Sequence, residues 1–314
     1  MAQEYAPLSV VVVDNSSSDE TASVLERYSD RVQIAYNRLN RGFAGGQNQA
    51  MAAAPEAQWV LTLNPDVQLT SGFVTAAVRA GEREADTGSV CGKLLAMRPD
   101  LSLPDEPVLD STGIFFTPAL RHFDRGNGTV DQGQYDAREY VFGGTGAACL
   151  YRRTMIADVS VGGEFFDEDF FAYREDADVA WRAQLLGWNC VYTPESVAYH
   201  VRTVVPENRA SLPAVINMHS VKNRWLMRMK NMTGDLYRRH WASITARDAL
   251  VVGGCVLKEQ SSLRAFPTVL RMRRKTWAKR RAIMSRRRVN DAAMARWFAD
   301  LPVSFPCGPR EETR

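Results

Sequence analysis

The chain has 314 residues, a formal net charge of +3, 45% hydrophobic residues and 24% charged residues. That balance suits a folded globular protein with a sizeable core and excludes a disordered chain, a collagen-like fibre or a coiled-coil rod. The best apolar runs, Leu8–Val13 and Ala249–Leu257, fall far short of the roughly 18–20 residues that span a bilayer. The five cysteines (Cys91, Cys149, Cys190, Cys255, Cys307) are scattered, odd in number and without C-x-x-C spacing, so neither a zinc site nor a disulfide frame is expected. Met1–Pro7 lacks the basic start and apolar stretch of a signal peptide, which leaves a reduced, cytoplasmic chain as the expectation.

In chain order, Leu8–Val13 reads as a buried β-branched strand that stops in the polar turn Asp14-Asn15-Ser16-Ser17-Ser18-Asp19. Ser18 or Asp19 then caps a helix over Glu20–Tyr28. Val32–Tyr36 is a short strand, Gly42–Gly46 a loop, and a helix follows to about Ala54. Trp59–Leu63 is a strand ending at Asn64-Pro65-Asp66, and Phe73–Arg83 a helix. This alternation predicts an α/β fold with a mostly parallel sheet and flanking helices, whose ligands sit at the carboxyl ends of the strands. Beyond it, Ser89–Leu95 and Gly113–Phe116 read as strands, while Asp100–Pro107 and His122–Arg138 read as loops. Val141–Tyr151 is apolar with three glycines, Phe165–Tyr173 is dense in aromatics and acids, and Glu175–Leu186 is a helix. Val191–Thr193 and Val197–Val201 are short strands. After Pro206 the pattern turns helical, which predicts a catalytic unit over 1–205 and a basic helical region over 206–314.

Charge is unevenly placed. Between Glu259 and Asp291 there are eleven basic residues and no acidic one, which leaves 28 of the 39 basic residues to face all 36 acidic ones elsewhere. Such asymmetry implies an anionic partner for Arg264–Arg288. The interleaved Leu263, Phe266, Leu270 and Trp277, with Pro267 near the start, favour an amphipathic helix at a membrane interface. A solvated helix packed on its own domain is the plainer alternative.

Candidate chemistry sits in four places. Asn64-Pro65-Asp66 puts a carboxylate in a stiff turn after an apolar strand, where it could hold a divalent cation beside phosphates; alone, the triplet fits an ordinary Asx or proline turn as well. Glu175, Asp176 and Asp178 lie in the first turn of a helix, where the dipole favours negative charge, and one of them is placed to act as a general base. A solvated acidic first turn is the competing reading, although the aromatics of Phe165–Phe171 suggest a pocket wall. Gly143-Gly144-Thr145-Gly146 allows close backbone approach to a ligand but has no P-loop lysine and no dinucleotide fingerprint. His200 follows a short strand, a position that structural histidines also occupy.

The set is more informative than its parts. Val11–Thr21 (VVVDNSSSDET), Asn40–Met51 (NRGFAGGQNQAM), Leu61–Val67 (LTLNPDV), Gly143–Arg153 (GGTGAACLYRR), Phe166–Trp188 and the AYH around His200, in that order, resemble the inverting family 2 glycosyltransferases of the GT-A fold. The nearest branch is that of bacterial rhamnosyltransferases. The resemblance covers about Leu8–Asn231. It implies that Asp14, with Asn15, recognises the nucleotide base. It implies that Asn40, Gly42, Phe43 and Asn48 line the nucleotide pocket, that Asn64 lies near the ribose, and that Asp66, with His200, holds Mg2+ or Mn2+. Asn64 departs from the family's Asp-x-Asp element. Asp176 matches the catalytic base, with Glu175 its neighbour and rival; Asp178, Arg182, Gly144 and Thr145 match supports of that turn and of the acceptor. Lys222-Asn223-Arg224 resembles an Arg-Asn stretch of the branch. Members also carry a strand and helix ahead of the strand matching Leu8–Val13; this chain starts seven residues before it, so the resemblance implies their absence and an unpaired strand edge.

The implied reaction is a single displacement at the anomeric carbon, with dTDP-rhamnose as donor and a lipid-linked or polysaccharide acceptor in cell-envelope glycan synthesis, at the inner face of the plasma membrane. Two other readings stay open: an inactive nucleotide-sugar-binding remnant, and a nucleic-acid-binding tail. Nucleic acid is not the expected partner, since Trp277 is the only stacking residue near the arginines.

Overall fold

The computed structural model describes residues 3–202 and 213–308, and the boundary near Pro206 lies outside them. The chain begins with β1 (Val11–Asp14), α1 (Thr21–Glu26), β2 (Gln33–Tyr36), α2 (Gly42–Ala52), β3 (Trp59–Leu63), β4 (Val67–Leu69), α3 (Phe73–Glu82) and β5 (Thr87–Ala96). The short strands β6 (Leu109–Ser111), β7 (Ile114–Phe116), β8 (His122–Asp124) and β9 (Glu139–Val141) follow. Next come β10 (Ala148–Arg152), α4 (Arg153–Val159), α5 (Glu175–Leu185) and β11 (Asn189–His200). The C-terminal part holds α6 (Ala214–Asn231), α7 (Gly234–Leu257), α8 (Ala265–Met284), α9 (Asp291–Ala295) and β12 (Phe305–Pro306).

The α/β architecture is the expected one, and the central sheet is mixed, in the order β12-β9-β11-β5-β10-β3. β10 enters antiparallel between β3 and β5, whereas β11 runs parallel to β5. β6 and β11 flank the C-terminal half of β5. β1 and β2 form a separate parallel pair, so the edge of β1 away from β2 carries no strand among the described residues. The two short strands expected around Val191 and Val197 are one, β11, with a register shift between Thr193 and Val197.

α3 shows why the helices dock where they do. Phe73, Val74, Ala77 and Val78 form one apolar face, all buried, against β5 and β11. Phe116, Phe142, Trp181 and Phe298 meet with ring centroids 4.7–6.0 Å apart and tie α5 to the sheet. Each large side chain buried in this way contributes roughly 1.5–3 kcal/mol. Cys91, Cys149, Cys190 and Cys307 are thiols outside any disulfide.

Two local expectations need correction. Gly42–Gly46 is the first part of α2 and not a loop: the Gly42 N–H is capped by Asn40 Oδ1 at 2.8 Å, and a Cβ on Gly42 (φ +71°) would stand 2.3 Å from the Phe171 carbonyl oxygen. The glycines are there for close packing. In the basic tail, α8 forms as expected, with Pro267 in its first turn where no intrahelical N–H is lost. Leu263 and Phe266, expected at a membrane face, instead pack on Val221, Cys255 and Ala265, with Phe266 edge-on to Trp225 at 5.3 Å.

Candidate functional site

The first half of the site is made by strand pairing. β3 ends at Leu63, and Asn64-Pro65-Asp66 turns the chain into β4; Asn64 N–H donates to Ala147 O at 2.9 Å, and Val201 N–H donates to Asp66 O at 3.0 Å. β4 pairs antiparallel with the end of β11, Val67 opposite His200. This register brings His200 Nε2 to 3.5 Å from Asp66 Oδ1. Asp66 Oδ1 is buried and has no hydrogen-bond partner, which suits a cation as its partner. His200 Nδ1 lies 2.8 Å from Asp110 Oδ2. Burial pushes the Asp110 carboxyl up, and the hydrogen bonds from His200 and Arg202 outweigh it, so it is held below the usual range. Among the described residues no three His, Cys, Asp or Glu side chains cluster to hold a metal by themselves. Asp66 and His200 fit a divalent cation as a two-ligand site whose remaining positions come from ligand or water oxygens.

The second half is the start of α5. Phe171, Tyr173 and Arg174 all have φ near +70°, a left-handed conformation that costs non-glycine residues about 1–3 kcal/mol each. The buried Asn223 side chain holds them: its amide nitrogen donates to the carbonyls of Phe170, Ala172 and Tyr173 at 2.7–3.0 Å. The strained turn aims the first residues of α5. Asp176 Oδ2 accepts from Gly146 N–H at 2.9 Å, and Oδ1 from Ala177 N–H at 2.7 Å. Burial raises its pKa, offset in part by those two N–H groups. Burial raises Glu175 further, with the Asp176 charge adding to it, and Glu175 Oε2 is buried without a partner. Glu175 is therefore the carboxyl that holds its proton more tightly, and Asp176 the one equipped to carry charge. Below them Asp178, fully buried, accepts from Arg182 Nε (3.0 Å), Lys230 Nζ (2.8 Å) and Asn231 Nδ2 (2.8 Å). Arg182 spans on to the carbonyls of Val159 and Phe165.

The remaining expected residues fall into two groups. Asp14, at the end of β1, accepts from the Ser17 backbone and hydroxyl; Asn15 donates to Gly42 O at 2.8 Å, so the β1 turn is fastened to the start of α2. Phe43 stands edge-on to Phe166 at 5.6 Å. Asn48 is a strut: its amide nitrogen donates to Phe166 O at 2.8 Å and to Glu168 Oε1 at 3.2 Å, and its oxygen accepts from Phe166 N–H at 2.9 Å, so both amide hydrogens are taken. Gly144 is wedged against Cys149 and Cys91, where a Cβ would lie 2.5 Å from the Cys149 sulfur, and Thr145 is buried.

Sequence reasoning missed Asp110, Asp124, Arg202, Lys230 and Asn231. It also missed that the basic tail serves this region. Lys279 reaches Asp167, Glu164 and Asp169, and Lys275 reaches Asp169; Lys230 joins Asp167 from α6. These cations hold the Asp167 carboxyl far below its ordinary range against the effect of burial.

Residues 1–99 match the sequence profile of Glycosyl transferase family 2. The chain is 28% identical over 214 residues to the N-acetylglucosaminyl-diphospho-decaprenol L-rhamnosyltransferase of Mycobacterium tuberculosis, covering 62% of this chain and 66% of the relative. By that profile and this alignment the chain is similar to glycosyl transferase family 2 over its N-terminal third and to a rhamnosyltransferase over a longer stretch. A second relative, the O-antigen chain rhamnosyltransferase WbaN of Salmonella anatum, is 23% identical over 231 residues, 72% of this chain and 67% of the relative. Among solved structures, GalNAc-T7 with UDP, GalNAc and Mn2+ shares the fold at a TM-score of 0.55 and 9% identity, over 71% of this chain and 41% of that one. The glycosyltransferase fold is thus GT-A-like, with a mixed central sheet and C-terminal helices.

Proposed function

We propose that the protein is an inverting glycosyltransferase that moves rhamnose from dTDP-rhamnose to a polyprenyl-diphosphate-linked or glycan acceptor in cell-envelope polysaccharide synthesis. The observation that carries this reading is the pairing of two unequal half-sites in one chain. One is the Asp66–His200 pair, whose geometry suits a cation; the other is a backbone-held carboxylate, Asp176, on the first turn of α5. The rhamnosyl relatives, one of them acting on a decaprenyl-diphosphate-linked sugar by its name, favour this donor and acceptor.

Asp176 takes the proton from the attacking acceptor hydroxyl, and its raised pKa makes it a better base than an exposed aspartate. Its two N–H partners stop it turning away. Attack inverts the anomeric carbon in one displacement, through an oxocarbenium-like transition state, and needs no acid because the nucleoside diphosphate is a good leaving group. A divalent cation on Asp66 and His200 would offset charge developing on that diphosphate. Asp14, Asn15, Asn40, Gly42 and Phe43 belong to the nucleotide side of the cleft, and Asn64 to the ribose. Burial favours the neutral form of Glu175, which spares Asp176 a second negative charge.

The chain meets its lipid-linked acceptor at the surface of an anionic membrane. No helix among the described residues is long and apolar enough to cross a membrane. Arg264, Arg271, Arg273, Arg274 and Arg281 are exposed, as are Leu270 and Trp277 on α8 and Leu250, Val256 and Leu257 on α7. Each basic residue near such a surface contributes roughly 1 kcal/mol. The test of function is product formation from dTDP-rhamnose and a polyprenyl-diphosphate N-acetylglucosamine acceptor; dTDP release that ignores the acceptor, or none with any nucleotide sugar, would overturn it.

A further inference from the structure

Behind His200 stands a buried carboxylate that neither the donor, the acceptor nor the proton transfer requires. Asp110 lies on β6 and is 2% exposed. Arg202 Nε reaches its Oδ1 at 2.7 Å and Arg202 Nη2 its Oδ2 at 3.2 Å. The same Nη2 is 2.7 Å from Asp124 Oδ2, and Asp124 Oδ1 accepts from Ser111 Oγ at 2.8 Å. A guanidinium only donates, so both Asp110 oxygens are held as acceptors. The nitrogen of His200 that faces Oδ2 at 2.8 Å, Nδ1, therefore carries the proton. In a neutral imidazole the other nitrogen then presents a lone pair. That lone pair, on Nε2, faces the unpartnered Asp66 Oδ1 at 3.5 Å. Two acceptors aimed at each other are satisfied by a cation between them.

We propose that Asp110, locked by Arg202, is a positioning residue: it fixes His200 in the Nδ1–H tautomer and so keeps Nε2 available, beside Asp66, for a divalent cation. The assignment of that cation to sugar transfer rests on the glycosyltransferase reading; the tautomer does not. The key variant is Asp110→Asn. Arg202 Nε needs an acceptor, so the new amide keeps its oxygen toward Arg202 and turns its NH2 to His200. The amide then donates to Nδ1, and the proton moves to Nε2, where it hydrogen-bonds Asp66 and blocks the cation. Orienting partners of this kind are worth about 10–100-fold in metal affinity.

The experiment is 15N–1H correlation of the imidazoles in the metal-free full-length protein, above the ordinary histidine titration range. The chain has four histidines, and His200→Gln assigns the signal. The expected result is a protonated Nδ1 and bare Nε2 in the wild type, the reverse in Asp110→Asn, and Mn2+ affinity, read by electron paramagnetic resonance without any sugar, about 10–100-fold weaker in the variant. Asp110→Glu, which keeps two acceptors, should restore most of the affinity. A wild-type His200 that is Nε2-protonated or doubly protonated would overturn the proposal, and that measurement decides even if Asp110→Asn does not fold. A folded Asp110→Asn with unchanged tautomer and Mn2+ affinity would overturn it too. Failure of rhamnosyl transfer with this tautomer and affinity intact would sink the function and leave the clamp standing.

Discussion

His200 Nε2 stands 3.5 Å from Asp66 Oδ1 because Val67 and His200 are register partners in the β4–β11 pair. Backbone pairing thus brings the two side chains to the same point of the sheet. Asp66→Asn replaces one charged ligand with a neutral one and should weaken metal-dependent turnover on the order of 10²-fold or more. The check is turnover against Mn2+ concentration; full activity at low Mn2+ would remove Asp66 from the site.

Asp176 and Glu175 are adjacent but differ in environment. Asp176→Asn should lower kcat by about 10²–10⁴-fold with nucleotide binding retained, since shape is kept and proton acceptance lost. Glu175→Gln, which mimics the protonated acid, should stay within a few-fold of wild type. Kinetics paired with calorimetric binding of dTDP separates the two; the opposite pattern would move the base by one residue.

The same pair sets a pH dependence. The raised Asp176 pKa means transfer should fall as pH drops through a midpoint above the ordinary aspartate value of about 3.9. For stability, Glu175 binds its proton more tightly folded than unfolded, so its contribution is lost as pH rises from the usual glutamate range through its raised value. Glu175→Gln should then be more stable than wild type at neutral pH, with the gap closing in acid. Urea melts at a series of pH values check both the sign and the window.

Lys279 is a basic-tail residue that has become part of the interior. Its ammonium serves Asp167, Glu164 and Asp169. Removing one partner of a buried ionic cluster costs about 3–5 kcal/mol, so Lys279→Ala should destabilise by that order in urea, whereas Arg273→Ala, exposed on the same helix, should change stability little. Arg273→Ala combined with Arg274→Ala should instead reduce co-sedimentation with anionic vesicles, and the binding should weaken as salt shortens the Debye length from about 10 Å at 0.1 M. Equal recovery with neutral vesicles would exclude the membrane reading of that face.

Much of this was legible before any coordinates. Trp59–Leu63 and the start of α5 at Glu175 sit where an apolar run, turn residues and an acidic first turn put them, because those signals are local. Asp110 and Arg202 were not legible: each is a lone charged residue in an unremarkable segment, and their meaning arises only when β6 and β11 flank β5. The tail misled for a related reason. Eleven cations without an acid imply an external anionic partner when read in one dimension, yet the carboxylates that neutralise Lys275 and Lys279 lie more than a hundred residues earlier, in the Glu164–Asp169 segment. Asn48, expected to line the pocket, instead spends its amide on Phe166 and Glu168, a pairing that no local signal announces.

The most direct test of the central claim is a single reaction containing the purified protein, dTDP-rhamnose, Mn2+ and a polyprenyl-diphosphate N-acetylglucosamine acceptor, with the product lipid followed by mass and anomeric configuration. A rhamnosylated lipid of inverted configuration is expected, formed only with acceptor present and at least 10²-fold more slowly by Asp176→Asn. No rhamnosylated lipid from a folded protein that binds dTDP, or full activity of Asp176→Asn, would contradict the account.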